Sequence, residues 1–173
     1  MAKPLLLSFI LLGSFCSMDA QNSRLDDARQ KFNNAANYTL EVARLMPAEQ
    51  YDFKPTADQE TFQGQLIHIL SNATWLSGGY LTDQPFDIDW KEKEGLTKDE
   101  TLALLETTFA QIAQRLETVT LESLEEEVDF FTPQVRNKGQ VLTLLNDHHT
   151  HHRGELMVYL RLQNIKPPRY RGW

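Results

Sequence analysis

Cysteine is almost missing from this chain: the single one, Cys16, falls inside an N-terminal stretch that reads as removable. Cleavage after Ala20 leaves a mature chain with none. That excludes disulfides, thiolate metal ligands and covalently attached c-type haem, so any metal must be held by nitrogen and oxygen. Basic charge is also scarce, with 17 Lys and Arg against 24 Asp and Glu, a formal net charge of −7. Lys3 and Asp19 cancel, so processing leaves that value unchanged. An acidic chain without a basic stripe is a poor nucleic-acid binder, and Arg169 and Arg171 in the tail are too few to alter that. No apolar run is long enough for a comfortable membrane span. Strand-type alternation, internal repeats and low-complexity tracts are lacking too, which leaves an all-α chain as the expectation.

The apolar stretch at 5–15, broken only by Ser8, Gly13 and Ser14, follows the basic Lys3 and precedes small residues ending at Ala20. That is the layout of a secretory signal peptide. The expected organisation is therefore a signal at 1–20 and one domain at 21–173, exported to the periplasm or the exterior. A lipoprotein anchor at Cys16 is the lesser expectation, because Phe15 rather than a small residue precedes it. About 150 residues remain, enough for one real core.

Four stretches read as amphipathic helices. The first, at about 25–45, places Ala28, Phe32, Ala35, Ala36, Leu40, Ala43 and Leu45 on one broad face and stops before Pro47. Tyr51 and Phe53 in the following linker should pin it to the bundle. The second, at about 61–81, repeats Phe62, Leu66, Ile69, Ala73 and Leu76, with Gly78 and Gly79 marking fraying near its end. A polar loop at 83–95 leads to the third helix, at 98–116, opened by the capping-box pair Thr97 and Glu100. At 118–139 the run Glu125-Glu126-Glu127 reads as a solvated surface segment, and Val128, Phe130 and Phe131 as a short extended piece. The fourth helix, at about 140–163, ends on Asn164. The expected fold is a four-helix bundle with a long connection between helices three and four.

Four of the five histidines are His148, His149, His151 and His152. Residues four apart on a helix point the same way, and imidazole is the commonest metal-ligating side chain. His148 and His152 have that spacing and lie on a stripe with Val141, Leu144, Leu145, Leu156, Tyr159 and Leu160, which should face the core. His149 and His151 fall to either side and read as partly solvated. His68, between Ile67 and Ile69 on the second helix, is a locally satisfied buried histidine if taken alone. Set against an inward-facing His-x-x-x-His, it becomes a candidate third ligand. Competing motifs are excluded: His149 stands where a zincin needs glutamate, and Gln65 and Leu145 stand where a di-iron bundle needs Glu-x-x-His. No nucleophile elbow supports a Ser-His-Asp arrangement.

The segment from His148 through Arg153, Gly154, Glu155 and Leu156 to Asn164-Ile165-Lys166-Pro167-Pro168 resembles the last helix of the DinB-like (DinB/YfiT) family, with its His-x-x-His-His-Arg-Gly-Gln signature. Met46-Pro47 through Tyr51-Asp52-Phe53-Lys54-Pro55, and Phe62-Gln63-Gly64-Gln65 to His68, are similar to the family's first linker and second helix. The resemblance implies a four-helix bundle that binds a divalent metal through three histidines, matching His68, His148 and His152 here. Glu155 replaces the usual glutamine and His149 is an extra imidazole. Three neutral imidazoles suit a Lewis acid with open positions, and Zn, Ni, Fe and Mn all fit that donor set. The resemblance implies a thiol S-transferase-like enzyme acting on a small molecule with a low-molecular-weight thiol. A metal-dependent hydrolase is the nearest rival, and a non-catalytic bundle with a structural or sequestering role is the alternative. An apo bundle and a homodimer stay open. Trp75, Asn72 and Tyr159 are candidates for a pocket wall.

Overall fold

A computed structural model describes residues 5–131 and 133–172, with side chains from Arg24 onward. The cleavage and lipid-anchor readings at Phe15, Cys16 and Ala20 therefore concern side chains outside the described ones. Four long helices form the bundle: α1 (Leu5–Leu45), α2 (Phe62–Leu76), α3 (Lys98–Leu116) and α5 (Lys138–Leu162). The short α4 (Leu121–Leu124) and a two-residue hairpin, β1 (Glu127–Val128) against β2 (Arg136–Asn137), lie in the connection from α3 to α5. Helix α5 packs on α1 and α2, and α3 packs on both of those from the other side. Among the described residues no helix is long and apolar enough to cross a membrane.

The helix ends follow from local chemistry. Thr61 caps α2 by accepting from the Gly64 amide at 2.8 Å, leaving one fewer bare donor in the first turn. Thr97 and Glu100 form the expected capping box on α3, and Asn137 and Gln140 form another on α5. At the far end of α5, Asn164 adopts φ 59°, while Ile165 and Asn164 donate back to Leu160 and Arg161. That pair of bonds is a Schellman closure, in which asparagine tolerates the left-handed backbone. Pro47 has no amide to continue α1, which ends at Leu45.

The core joins Phe32, Met46, Phe62, Leu66, Leu105, Ile112, Leu145 and Tyr159. The linker aromatics are pinned as expected: Tyr51 donates its hydroxyl to the Ala43 carbonyl at 2.8 Å and lies edge-on to Phe62. Two expected core residues face out instead. Leu45 is 40% exposed and Leu144 37%, while Met46 and Leu142 take the buried places. In each case the neighbours, not the spacing, set the exact edge of the buried arc.

Two further expectations need correction. Gly78 and Gly79 do not mark fraying; they sit in a π-helical turn (Ser77–Leu81) that continues α2. A Cβ at Gly78 would lie 2.7 Å from the Gln84 carbonyl oxygen and 2.9 Å from the Phe86 ring, so the loop closes on bare backbone. Gly78→Ala should cost about 1–3 kcal/mol by overpacking. At Gly79 the nearest atom is Trp75, at 4.0 Å, and alanine there should be neutral or stabilising by up to about 1 kcal/mol. Urea unfolding of the two variants checks the contrast, and equal midpoints would contradict this packing. The acidic run at 125–127 is also more than a solvated surface, because Glu126 pairs with the buried Lys138 ammonium at 2.8 Å. Asp83 reaches the same ammonium from the other side, at 3.0 Å, so one lysine ties both loops to the start of α5.

Candidate metal centre

Helices α2 and α5 run antiparallel. Tyr159 bonds to the Glu60 carbonyl at one end, while His68 faces His148 and His152 further along. Helical spacing turns His148 and His152 toward that seam, and the packing of α2 brings His68 to meet them. One ring nitrogen from each of the three lies within 4.8 Å of the other two. The Nε2 atoms of His68 and His148 are 3.2 Å apart. A cation about 2.1 Å from each would see them at an angle of about 100°, inside the range of tetrahedral and octahedral sites. The donor set and this spacing both fit a divalent ion.

Protonation and tautomer favour ligation. Burial, reinforced by the charges that His152, His68 and His151 would carry, depresses the pKa of His148 to about 4. Burial is also the main cause that lowers His152, with His68 adding to it and Glu155 opposing. Both rings are therefore neutral at pH 7 and keep a lone pair for a metal. Gln65 Oε1 accepts from His152 Nδ1 at 2.8 Å, which fixes the proton there and leaves Nε2 free. Glu155 Oε2 stands 3.4 Å from the same Nδ1. A carboxylate or amide behind a ligating imidazole orients the ring and raises its basicity. Gln65 was the one partner whose role the sequence did not disclose. Its signal was its place three residues before His68, on the same side of α2.

The histidines divide differently from their expected roles. His148 and His152 are half-buried and His68 is exposed, so the trio lies at the rim of the seam rather than in the core. His149 is the buried one, at 1% exposure. It stacks on Phe109 with centroids 5.3 Å apart, meets Phe32 edge-on, and its Nε2 is 2.8 Å from Thr39 Oγ1. Burial holds its pKa down to about 3, with the Arg153 charge adding to the effect. The reason is geometric: α5 is flanked by α1 as well as α2, so its buried arc centres nearer Leu145, His149 and Leu156 than the apolar spacing suggested. His151 is exposed, and its Nε2 meets Glu155 Oε1 at 3.2 Å. With His152 these two make a second group whose ligand atoms lie within 4.8 Å.

Of the expected pocket wall, Trp75 is 41% exposed and packs among Tyr80, Phe130 and Phe131. Asn72 is half-buried, one turn from His68, with no partner for its Oδ1. Tyr159 is a core residue whose hydroxyl donates to the Glu60 carbonyl at 2.7 Å and also neighbours Gln65, the partner of His152. A groove of about 460 Å³ opens beside His68, walled by Gln63, Ile67, Ser71 and Trp90.

The sequence profile of the DinB superfamily matches residues 31–156. The uncharacterized protein YjoA of Bacillus subtilis (strain 168) is 26% identical over 133 residues, covering 75% of this chain and 84% of its own. Its crystal structure superposes with a TM-score of 0.66 at 23% identity, over 83% of this chain and 96% of that one. A DinB-like protein from Bacillus cereus ATCC 10987 gives a TM-score of 0.72 at 17% identity, over 84% and 97% of the two chains. YfiT from Bacillus subtilis, described as a probable metal-dependent hydrolase with an unusual four-helix bundle topology, gives 0.61 at 19%, over 83% and 90%. These likenesses agree with the four-helix bundle expected from the sequence.

Proposed function

The chain belongs to the DinB superfamily, and on that premise we propose that it is an exported metal-dependent hydrolase of a small-molecule substrate. His68, His148 and His152 hold the divalent ion. The observation that carries this reading is the convergence of three imidazoles from two helices, with two Nε2 atoms 3.2 Å apart. A divalent cation held there supplies Lewis acidity, lowering the pKa of water and polarising a carbonyl. The description of YfiT as a probable metal-dependent hydrolase supports the same direction. The signal-like residues 1–20 support export.

The protein's own groups have separable tasks. The three rings anchor the cation, Gln65 and Glu155 hold His152 in its ligating tautomer, and exposed His68 leaves one face of the trio toward solvent. That open face favours catalysis over storage, since a sequestering site is closed by a further protein ligand. It also admits an added thiol, whose proton such a cation would displace, so thiol transfer is the second reading.

Elemental analysis of purified protein should find about one divalent metal per chain, removable by a chelator. An ester and amide panel, run beside a thiol-plus-electrophile assay, should show turnover that disappears with the metal and returns with it. Protein that carries no stoichiometric metal and ignores the chelator would overturn the proposal. Turnover only with thiol would replace hydrolysis by the second reading. Gln65→Leu should weaken metal binding about 10–100-fold with the helical spectrum unchanged, measured by competition with a chromophoric chelator. Wild-type affinity in that variant would remove Gln65 from any role behind His152.

A further inference from the structure

Along the seam of α2 and α5, Glu60, Gln65 and His68 meet Tyr159, His152 and His148 in antiparallel order. That order sets Gln65 between His152 and Tyr159. We infer that Tyr159 is a positioning residue for the metal centre: its hydroxyl, tied to the Glu60 carbonyl, decides which way the Gln65 amide faces and so which nitrogen of His152 carries the proton. This rests on the proposed reading of the trio as a metal site, and extends it to a residue that acts only through Gln65.

A chain of hydrogen bonds through a hydroxyl and an amide has two possible polarities, and its end group chooses between them. The Tyr159 hydroxyl lies 2.7 Å from the Glu60 carbonyl, which can only accept, so the phenol proton points there. Gln59 Oε1, at 3.3 Å, is a second and longer acceptor. The hydroxyl then has only lone pairs left for Gln65, and the amide must turn its Nε2–H toward them. Burial raises the pKa of Tyr159, and the hydrogen bond from Gln65 opposes that rise, as a donor to a phenol oxygen does. With Nε2 so engaged, Oε1 is left to face His152 Nδ1, at 2.8 Å, and that nitrogen must carry the proton.

The reversed chain would satisfy the same three side chains. Tyr159 would donate to Oε1, Nε2–H would donate to Nδ1, and the His152 proton would move to Nε2, the nitrogen a metal needs bare. Only the Glu60 carbonyl loses by the reversal, because its donor has turned away. Gln65 is 6% exposed and Tyr159 1%, so water is a poor substitute at either. Glu155 Oε2 favours the same tautomer from farther off, 3.4 Å from Nδ1.

The test uses the full chain, free of metal and labelled with 15N at histidine. Long-range 15N–1H correlations should place the His152 proton on Nδ1 in wild type. Tyr159→Phe keeps the core ring and removes only the hydroxyl, so it should give His152 a substantial Nε2–H population. That population should grow when Glu155→Ala also removes the longer acceptor. Zinc affinity, by competition with a chromophoric chelator, should fall about threefold or more in Tyr159→Phe, short of the roughly 10–100-fold for a ligand's direct partner. In a Gln65→Glu background both effects of Tyr159→Phe should vanish, since a carboxylate has no amide end to turn. Tyr51→Phe removes a like bond, to the Ala43 carbonyl at 2.8 Å, and should change neither reading. A wild-type proton on Nε2, wild-type readings in Tyr159→Phe, equal losses in Tyr51→Phe, or a Tyr159→Phe loss that persists beside Gln65→Glu would each overturn the proposal. The tautomer is read with no metal bound, so an Nδ1 proton that depends on Tyr159 in a chain unable to hold zinc would support the relay and remove the metal reading.

Discussion

His148→Ala should retain less than about a tenth of the wild-type metal after gentle dialysis. Losing one of three imidazoles costs more than the 10–100-fold typical of removing a supporting group behind a ligand. Hydrolysis should fall with occupancy. The fold should not: His148 is half-buried at the seam, and burial disfavours its charged form. Truncating a ring at such a rim leaves no large cavity, so the melting temperature without metal should move by only a few degrees, roughly the range for partly exposed positions. His68→Ala and His152→Ala should behave alike. The informative control is His151→Ala, because His151, His152 and Glu155 form the competing group. If that variant loses metal as completely and His68→Ala keeps it, the ion belongs to the competing group and the trio is wrong.

The largest stability effect is expected from Phe32→Ala. Phe32 is fully buried on α1, edge-on to Phe109 of α3 at 6.1 Å and to His149 of α5 at 6.0 Å between centroids. It therefore joins three helices at one point. Removing a core phenyl costs about 3–5 kcal/mol, from lost transfer energy and an unfilled cavity. In a domain of this size that corresponds to a melting temperature lower by about 6–20 °C. Metal binding below the melting point should survive, since Phe32 touches His149 and no member of the trio. Phe32→Leu should recover much of the loss. A drop under about 1 kcal/mol for the alanine variant would mean that Phe32 does not join α1, α3 and α5 in the native protein.

These two variants mark which parts of the molecule were legible from residue order. Spacing alone places Phe32, Leu66, Leu145 and Leu160 in the core, and all are buried. Thr97 with Glu100, and Asn164, name helix ends correctly because both signals are local: the capping box joins side chain to backbone three residues away, and asparagine tolerates the left-handed backbone that closes α5. Leu45, Leu144 and His149 depart from their spacing for one shared reason. Periodicity locates the centre of a buried arc, but its width depends on how many helices press against it. Helix α5 has neighbours on two sides, so His149 went into the core and Leu144 came out. At Gly78 the local pattern misleads, because the constraint comes from Gln84 and Phe86 across a loop whose path no local pattern dictates.

The candidate metal centre divides along the same line. The sequence by itself determined that His148 and His152 share a face, because four residues of α-helix bring two side chains within 40° of each other. It also predicts that no thiolate ligand is left once residues 1–20 are removed, since the one cysteine, Cys16, lies there. Set beside that pair, His68 on the second helix is the candidate third member, and the family resemblance implies the same three. Only the tertiary structure decided that His68 meets the other two, that Gln65 holds the proton on His152 Nδ1, and that the trio opens to solvent. Those facts depend on the antiparallel seating of α2 against α5, which a contact between residues 68 and 148 reports and no local spacing encodes.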